Sequence, residues 1–332
     1  MLKTRFTQQL KIEIPIVQAP IGGVSNPILT AAVSNAGGLG MLAGTWRTPD
    51  NLRGLIRATR DLTAKPFGIN FVLDFEIAEK LELCLQEKVP VISLFWGDAA
   101  PWVERIHHAG SIVMHTVGSA LEARAAASSG VDVLVAQGIE AGGHVWGQTS
   151  SFALIPCVVD AVPNLPVIAA GGIADGRGLA AALCLGASGV WLGTRFVASL
   201  EANAHPAYQQ ALLEANETKT VYVQRLFNLG WDYAAHRTLQ NSTYQNWLEA
   251  GMPEPGSRPG EGEVVSTLKN GTSILRYSDD APTKEVKTGT PEAQALYAGQ
   301  SVGLVRNLQP AAQIVQDMAR EAQNILQGFG QQ

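Results

Sequence analysis

The sequence has few of the features that are typical of secreted, membrane-spanning or metal-stabilised proteins. Only 3 of its 332 residues are cysteine, and charged residues make up 16%. No run approaches the ~18 consecutive apolar residues that a membrane span needs. The first residues also lack the apolar core of a signal peptide. We therefore expect neither a membrane span nor a secretory signal.

Basic residues are too scattered to form a nucleic-acid interface. The formal net charge is −5, and no lysine- or arginine-rich run occurs. An acidic protein without a basic patch has no broad attraction to nucleic acid or to an anionic membrane surface. We expect no nucleic-acid partner and no membrane partner.

The three cysteines, Cys84, Cys157 and Cys184, lie far apart in apolar surroundings. Buried, reduced thiols explain this distribution better than disulfides or a metal site. The histidines and carboxylates show no metal-ligand spacing either. Because reduced thiols are typical of reducing compartments, we expect a cytoplasmic protein without a metal centre.

Short apolar runs alternate with longer helical patterns over residues 14–193. Near-continuous apolar runs are typical of parallel strands that are covered by helices, and the alanine-rich segments between the runs favour helix. The runs are IPIV (14–17), LGML (39–42), FGINFV (67–72), VPVISL (89–94), SIVMH (111–115), VDVLV (131–135), PVIAA (166–170) and GVWL (189–192). Eight such units in series predict an α/β fold, a (β/α)₈ TIM barrel.

The alternation ends after the eighth run. We expect residues 1–204 and 301–332 to form the barrel with a closing C-terminal helix. Residues 205–300 are expected to add a helical extension that caps the barrel mouth within the same domain. Apolar positions over 205–250 indicate helices, and residues 251–262, rich in glycine and proline, predict a loop. An amphipathic pattern from about residue 310 predicts the closing helix.

Two glycine-rich segments follow the seventh and eighth runs, with Gly171 and Gly172 in the first and Gly193 and Thr194 in the second. Glycine lets the backbone approach a ligand closely, and exposed N–H groups bind anions. Because phosphate sites after the last two strands recur among barrels, we predict a phosphate site here. The alternative is that these glycines only make tight turns.

One histidine lies in an elongated loop after the sixth run, in the segment EAGGH (140–144). His144, preceded by Gly142 and Gly143, can approach a substrate at the barrel mouth and exchange protons near neutral pH. The alternative is a hydrogen-bonded structural histidine. His115, at the end of the fifth run, is a second candidate for the same pocket.

Two amide side chains lie near strand ends. Gln18 ends the first strand, and Asn70 lies in the third. Both suit hydrogen bonds to the polar edge of a planar ring such as a flavin, and ordinary loop chemistry is the alternative. The segment GGLG (37–40) is not a dinucleotide fingerprint, because its glycines precede a strand where that motif needs them after one.

Taken together, six segments resemble the nitronate monooxygenase (2-nitropropane dioxygenase-like) family. They are QAP (18–20), GGLG (37–40), FGIN (67–70), EAGGH (140–144), AGGI (170–173) and GTRF (193–196). The resemblance covers nearly all of residues 10–200. FMN-dependent enoyl-acyl-carrier-protein reductases and NADH:quinone reductases share much of this set. The resemblance therefore implies flavin and fold more closely than substrate.

The resemblance implies a bound FMN and assigns roles to particular positions. Its phosphate is expected on Gly171, Gly172, Gly193 and Thr194. Its isoalloxazine ring is expected near Gln18, Ala19, Asn70 and the backbone of Gly142 and Gly143. His144 is the implied catalytic residue.

The implied reaction is oxidation of a small-molecule alkyl nitronate with oxygen, giving a carbonyl compound and nitrite. The alternative is NADH-dependent reduction of enoyl thioesters or quinones with the same cofactor. An FMN- or phosphate-binding protein without activity is a third possibility, but it has no evident need for an ionisable His144. The acidic charge balance disfavours an acyl-carrier partner, since carrier proteins are themselves acidic. The sequence leaves open whether NADH is used and whether the protein forms a homo-oligomer.

Overall fold

The computed structural model describes residues 2–329. The strands in chain order are β1 (Ile16–Gln18), β2 (Gly40–Ala43), β3 (Phe67–Val72), β4 (Val91–Phe95), β5 (Ile112–Val117), β6 (Val133–Gln137), β7 (Gly143–His144), β8 (Val167–Ala170), β9 (Gly189–Leu192), β10 (Thr220–Val223), β11 (His236–Leu239), β12 (Val264–Leu268), β13 (Ser273–Leu275) and β14 (Val286–Gly289). The α-helices are α1 (Arg5–Leu10), α2 (Pro27–Asn35), α3 (Pro49–Leu62), α4 (Ala78–Gln86), α5 (Ala100–His108), α6 (Ala120–Ser128), α7 (Ser151–Ala161), α8 (Gly176–Cys184), α9 (Thr194–Val197), α10 (Pro206–Glu214), α11 (Ser242–Glu249) and α12 (Ala311–Phe329).

Eight of these strands form one parallel sheet in the order β1-β9-β8-β6-β5-β4-β3-β2. The two ends of this order also meet, because Gln18 N–H donates to the Leu39 carbonyl and Leu39 N–H to the Ile16 carbonyl, both at 2.9 Å. The sheet therefore closes on itself, with helices between successive strands. This confirms the predicted (β/α)₈ barrel.

Alternate side chains of the barrel strands pack into two separate apolar clusters. Val91 and Met114 belong to the cluster inside the barrel, which also holds Phe6 of α1. Their neighbours Ile92 and Val113 belong to the cluster between the strands and the surrounding helices. This two-residue period is what a strand buried on both faces requires, and it decides which side chains can reach the barrel mouth.

The last helix packs back on the barrel, as predicted. α12 approaches α8 so closely that a Cβ on Gly176 would lie 2.6 Å from the Met318 carbonyl oxygen. The Glu321 carboxylate accepts a hydrogen bond from Gly176 N–H at 2.8 Å. The buried face of α12 consists of Ala311, Ile314, Val315, Met318 and Ala322.

The prediction of helices throughout residues 205–250 is wrong in part. This segment contains α10 and α11, but residues 220–239 contain β10 and β11, which form a three-stranded sheet in the order β10-β11-β7. The run TVYV (220–223) alternates β-branched and aromatic residues, which favours strand over helix. A second sheet, β13-β12-β14, follows, and its first turn contains Asn270-Gly271, a typical hairpin signal. The predicted loop over residues 251–262 is confirmed.

The prediction of three buried cysteines is also wrong in part. All three are free thiols, but only Cys84 is buried, whereas Cys157 and Cys184 are exposed. The exposed pair lies on α7 and α8, whose apolar composition hid the solvent-facing positions. The cytoplasmic location stays a prediction. Within residues 2–329, no helix combines the length and the apolar character needed to cross a membrane.

Candidate active site

A cavity of about 750 Å³ opens where the barrel strands end. This volume lies within the ~300–1,000 Å³ that is usual for small-molecule sites. The predicted site residues that line it are Ala19, Asn70, Gly142, Gly143, His144, Gly171, Gly172, Gly193 and Thr194. The structure therefore brings together every predicted site residue except Gln18.

The glycines after β8 and β9 leave one side of the cavity without side chains. Gly171 and Gly172 have φ angles of +95° and +74°, in the left-handed region that favours glycine. At Gly193, an added Cβ would meet only the Ala19 Cβ, 3.8 Å away. The space next to Gly193 thus belongs to the cavity. A backbone-lined cradle of this kind fits a phosphate group.

Gly299 joins the two loops that carry the remaining predicted contacts. Its N–H donates to Thr194 Oγ1 at 2.9 Å. A Cβ on Gly142 would overlap the Gly299 backbone, so glycine at residue 142 is required by this close approach. Gly143 has a φ of +75° and no atom within 4 Å of its Cβ position, so its side of the loop is open.

Gln18 lies beneath the cavity and not in it, which corrects the expected contact between its side chain and the flavin. The side chain is fully buried. Its Oε1 accepts from Met41 N–H at 3.1 Å, and its Nε2 donates to Ser25 Oγ at 3.0 Å and to the Ala19 carbonyl. These bonds use the amide to hold Ala19 in place. Asn70, in contrast, lines the cavity with its side chain free of hydrogen bonds to residues 2–329.

His144 is held against an aromatic and imidazole surface. Its ring centroid lies 4.5 Å from that of Trp231, 5.5 Å from Tyr297 and 5.8 Å from His236. Its Nε2 is buried and has no hydrogen-bond partner among residues 2–329. Burial, and secondarily His236, lowers the pKa of His144 to about 3. The imidazole is therefore neutral at neutral pH and keeps one nitrogen available.

His236 packs beside His144 and is itself fixed in one neutral form. Phe227 N–H donates to His236 Nε2 at 3.3 Å, so the ring proton resides on Nδ1, which donates to the Ala234 carbonyl at 3.0 Å. Burial lowers the pKa of His236 to about 4. The sequence reasoning missed His236 because its segment was predicted to be helical.

The end of β6 fixes the loop that carries His144. Gln137 Nε2 donates to the His144 carbonyl at 3.1 Å, and Gln137 Oε1 accepts from Trp146 N–H at 3.0 Å. The side chain thus holds the last residue of β7 and the residue two positions beyond it. A side chain on a barrel strand places the histidine more rigidly than the loop alone could.

Three rings form an aromatic wall (Trp46, Phe75, Trp231) along one side of the cavity. Trp46 and Phe75 lie 5.5 Å apart, and Phe75 and Trp231 lie 5.3 Å apart, in edge-to-face contacts. Trp231 Nε1 donates to Asp74 Oδ2 at 2.6 Å, which ties the added segment to the loop after β3. The wall was missed by sequence reasoning, because its members come from three distant segments.

His115 does not face the cavity, which corrects the expectation that it is a second candidate. Its neighbour Thr116 lines the cavity, and successive residues of β5 point to opposite faces. His115 is buried on the outer face, with Nδ1 3.1 Å from the Leu94 carbonyl oxygen. Its role is structural.

Comparisons with known proteins agree with this geometry. The family model described as nitronate monooxygenase matches residues 3–78 and 74–321. A Mycobacterium tuberculosis protein named "(3aS,4S,5R,7aS)-5-hydroxy-7a-methyl-1-oxo-octahydro-1H-indene-4-carboxyl-CoA dehydrogenase" is 33% identical, over 98% of this chain and 98% of that protein. A nitronate monooxygenase of Pseudomonas aeruginosa is 32% identical, over 96% of this chain and 98% of that protein.

A solved structure of FabK from Thermotoga maritima superposes with a TM-score of 0.84 at 34% identity, covering 99% of both chains. Two relatives that match nearly the whole chain are named as enzymes. This decides against the alternative of an FMN- or phosphate-binding protein without activity. The chain belongs to the nitronate monooxygenase family and is a flavin-dependent oxidoreductase.

Proposed function

We propose that the protein binds FMN in this cavity and oxidises alkyl nitronates with oxygen to a carbonyl compound and nitrite. FMN, when bound, supplies the redox chemistry by taking electrons from the substrate and passing them to oxygen. The protein supplies position, exclusion of water and hydrogen bonds. The family match and the glycine cradle support the cofactor assignment.

Gly171, Gly172, Gly193 and Thr194 are the residues that would hold the phosphate. The open space next to Gly193 supports this assignment, because in the described part of the chain only Ala19 Cβ comes within 4 Å of a Cβ built there. Ala19, Asn70 and the backbone of Gly142 and Gly143 would surround the ring system. Asn70 is suited to this role, since its side-chain amide lines the cavity and is not used elsewhere.

The neutral state of His144 is the observation that carries the proposed reaction. A pKa of about 3 makes this imidazole a weak base and leaves almost no protonated form at neutral pH. An alkyl nitronate is an anion that has already lost its proton, so it needs no strong base from the protein. A neutral imidazole with a free nitrogen can hydrogen-bond such a substrate.

The segment over residues 205–300 is proposed to act as a cap of the same domain, with residues 1–204 and 301–332 forming the barrel. Its Trp231 and Tyr297 cover His144, and both line the cavity. A closed apolar cover keeps bulk water from the reacting atoms and strengthens hydrogen bonds inside. The pairing of β7 with β11 fixes the cover directly to the loop that carries His144.

A second candidate function is oxidation or reduction of a thioester-bound substrate. Its support is the full-length similarity to a protein named as a carboxyl-CoA dehydrogenase. NADH-dependent reduction of enoyl thioesters belongs to the same group of reactions, and NADH-dependent quinone reduction is the related alternative. The cavity of about 750 Å³ is spacious enough to admit more than a small nitronate.

Steady-state turnover in air separates these functions. With an alkyl nitronate and no nicotinamide, the purified protein is expected to consume oxygen and release nitrite. The same assay on a denatured sample controls for non-enzymatic nitronate oxidation. Absence of nitrite, together with oxidation of NADH in the presence of a quinone or an enoyl thioester, would replace the first function with the second.

A further inference from the structure

We propose that Trp46 and Arg47 form a rim site for the adenosine diphosphate group of a nucleotide-bearing ligand. The inference goes beyond the proposed function and does not depend on it. It rests on an unpaired cation, a half-exposed indole and the rigid loop that carries both.

The Arg47 guanidinium has no counter-ion among residues 2–329. Arg47 lines the cavity and is half-buried, and its side chain makes no hydrogen bond or ion pair with the described part of the chain. The acidic residue nearest in sequence, Asp50, is paired with Arg53 at 3.0 Å. A half-buried charge without a partner is costly, and arginine stays charged at physiological pH. A bound anion would remove this cost.

The loop that carries Arg47 is built to hold one conformation. Thr45 Oγ1 accepts from Val72 N–H at 2.8 Å, and the Thr45 carbonyl accepts from Lys80 Nζ. Gly44 N–H donates to the Asn70 carbonyl at 2.9 Å. These bonds tie the loop to β3 and α4. A preorganised loop loses little freedom on binding, so its contacts count more fully toward affinity.

Trp46 provides a flat apolar surface next to this cation. The residue is 50% exposed and contacts the Phe75 ring edge-on, which leaves part of the indole open to the cavity. Aromatic faces stack on purine bases regardless of sequence. A guanidinium binds phosphate oxygens through two parallel hydrogen bonds. An indole and a guanidinium on adjacent residues together match a purine linked to a diphosphate.

The position of the pair suits a ligand whose other end reacts at His144. The aromatic wall leads from Trp46 through Phe75 to Trp231, which contacts His144 at 4.5 Å. A ligand tail held at the rim can therefore lie along this wall toward the imidazole.

The carboxylates in the same cavity are on a different segment. They are Asp279, Asp280 and Glu285, which follow β13. Like charges repel, so an anionic tail avoids these groups. Arg47 is then the cation that attracts it.

Isothermal titration of the FMN-saturated protein with ADP tests the site directly. ADP is expected to bind more tightly than adenosine or inorganic pyrophosphate, because each of these lacks one half of the recognised group. Arg47→Ala and Trp46→Ala are each expected to weaken ADP binding ~10-fold or more. Arg124→Ala, which removes an exposed arginine of α6 outside the cavity, is the matched control and should leave binding unchanged. Titrations with coenzyme A and with NAD⁺ then identify which ligand carries the group.

Several outcomes would overturn the inference. If ADP does not bind at millimolar concentration, the rim site is wrong. It is also wrong if Arg47→Ala and Trp46→Ala both leave ADP binding unchanged. A loss of nitronate turnover in Arg47→Ala with unchanged ADP binding would assign Arg47 to the nitronate, and this also overturns the site. Tight, Arg47-dependent ADP binding by a protein that does not oxidise nitronates would contradict the proposed function alone.

Discussion

His144 and His236 lie opposite each other on paired strands, with their ring centroids 5.8 Å apart. Each is held in the neutral form by burial. Two imidazolium ions at this separation would repel, so protonation of one opposes protonation of the other. The pair therefore connects the barrel loop that carries His144 to the covering segment, residues 205–300, that carries His236.

The histidine pair predicts a stability that falls in mild acid. The pKa values of His144 and His236 lie at about 3 and about 4 in the folded protein, against an ordinary value of 6.5. Below pH 6.5 the unfolded chain binds protons that the folded protein refuses, so the free energy of unfolding decreases as the pH falls toward 4. The slope is at most about 1.4 kcal/mol per pH unit for each histidine.

Urea unfolding between pH 7 and pH 5 measures this slope. His236→Gln should flatten it, because one of the buried imidazoles that resist protonation is gone. His108→Gln, which changes an exposed histidine of α5, should leave the slope as it is. Equal slopes in the wild type and His236→Gln would show that the pair does not control acid stability.

Gly193→Val is expected to empty the cofactor site without unfolding the barrel. The backbone at Gly193 has a negative φ of −98°, and within residues 2–329 an added Cβ would meet only the Ala19 Cβ, 3.8 Å away, so the Cβ itself introduces neither backbone strain nor a clash. The new side chain instead occupies the space proposed for the phosphate. The flavin absorbance of the purified variant and its thermal unfolding together give the result. Gly54→Val is the matched control, because an added Cβ there meets nothing within 4 Å and lies on α3. A yellow Gly193→Val protein with unchanged FMN affinity would refute the phosphate site.

Replacement of Gln18 is expected to lower the stability of the fold, whereas replacement of Asn70 is expected to weaken FMN binding. Gln18→Leu leaves Met41 N–H buried without an acceptor and should cost about 1–3 kcal/mol of stability. Asn70→Ala removes no hydrogen bond of the side chain within the described chain and should instead weaken FMN binding, by roughly 3- to 10-fold for one neutral hydrogen bond. Denaturant unfolding of the FMN-free protein and FMN titration separate the two effects. If Asn70→Ala destabilised the FMN-free protein as much as Gln18→Leu does, Asn70 would be a structural residue.

His144→Ala is expected to keep FMN and lose turnover. General acid–base assistance contributes typically ~10²–10⁴-fold, and the low pKa of His144 makes it a weak base, so a loss at the lower end of this range is expected for a neutral substrate that must give up a proton. The loss should be much smaller for a preformed nitronate, which needs no deprotonation. Comparing kcat/KM for a nitroalkane and for its nitronate measures the difference. Unchanged turnover with both substrates would show that His144 is only a structural residue. His115→Gln is the control variant, because His115 lies outside the cavity.

The barrel and its glycine loops were predictable because they depend on local pattern. Apolar runs, alanine-rich helices and glycines at strand ends are all visible within short windows of sequence. The placement of His115 shows the limit of such a window. One residue along a strand exchanges the inner and outer face, so only Thr116, and not His115, reaches the cavity.

The parts of the site that sequence reasoning missed depend on contacts between distant segments. β7 consists of Gly143 and His144, and it is a strand only because β11 pairs with it, which no local pattern predicts. Trp231 reaches His144 through the same pairing, Phe75 meets Trp231 from another loop, and Trp46 meets Phe75 from a third. The unpaired state of Arg47 is likewise invisible in sequence, since it depends on where every carboxylate lies. The alternating TVYV run and the Asn270-Gly271 turn were local signals that could have revealed the added strands.

Anaerobic mixing of the oxidised, FMN-loaded protein with an alkyl nitronate tests the central claim most directly. The flavin absorbance near its long-wavelength maximum is recorded after mixing with the nitronate, and separately after mixing with NADH. The proposed nitronate oxidation predicts rapid bleaching by the nitronate without any nicotinamide, followed by recovery of the colour and release of nitrite when oxygen is admitted. Bleaching by NADH alone, with no response to nitronates, would contradict it and assign the protein to the reductases of its family.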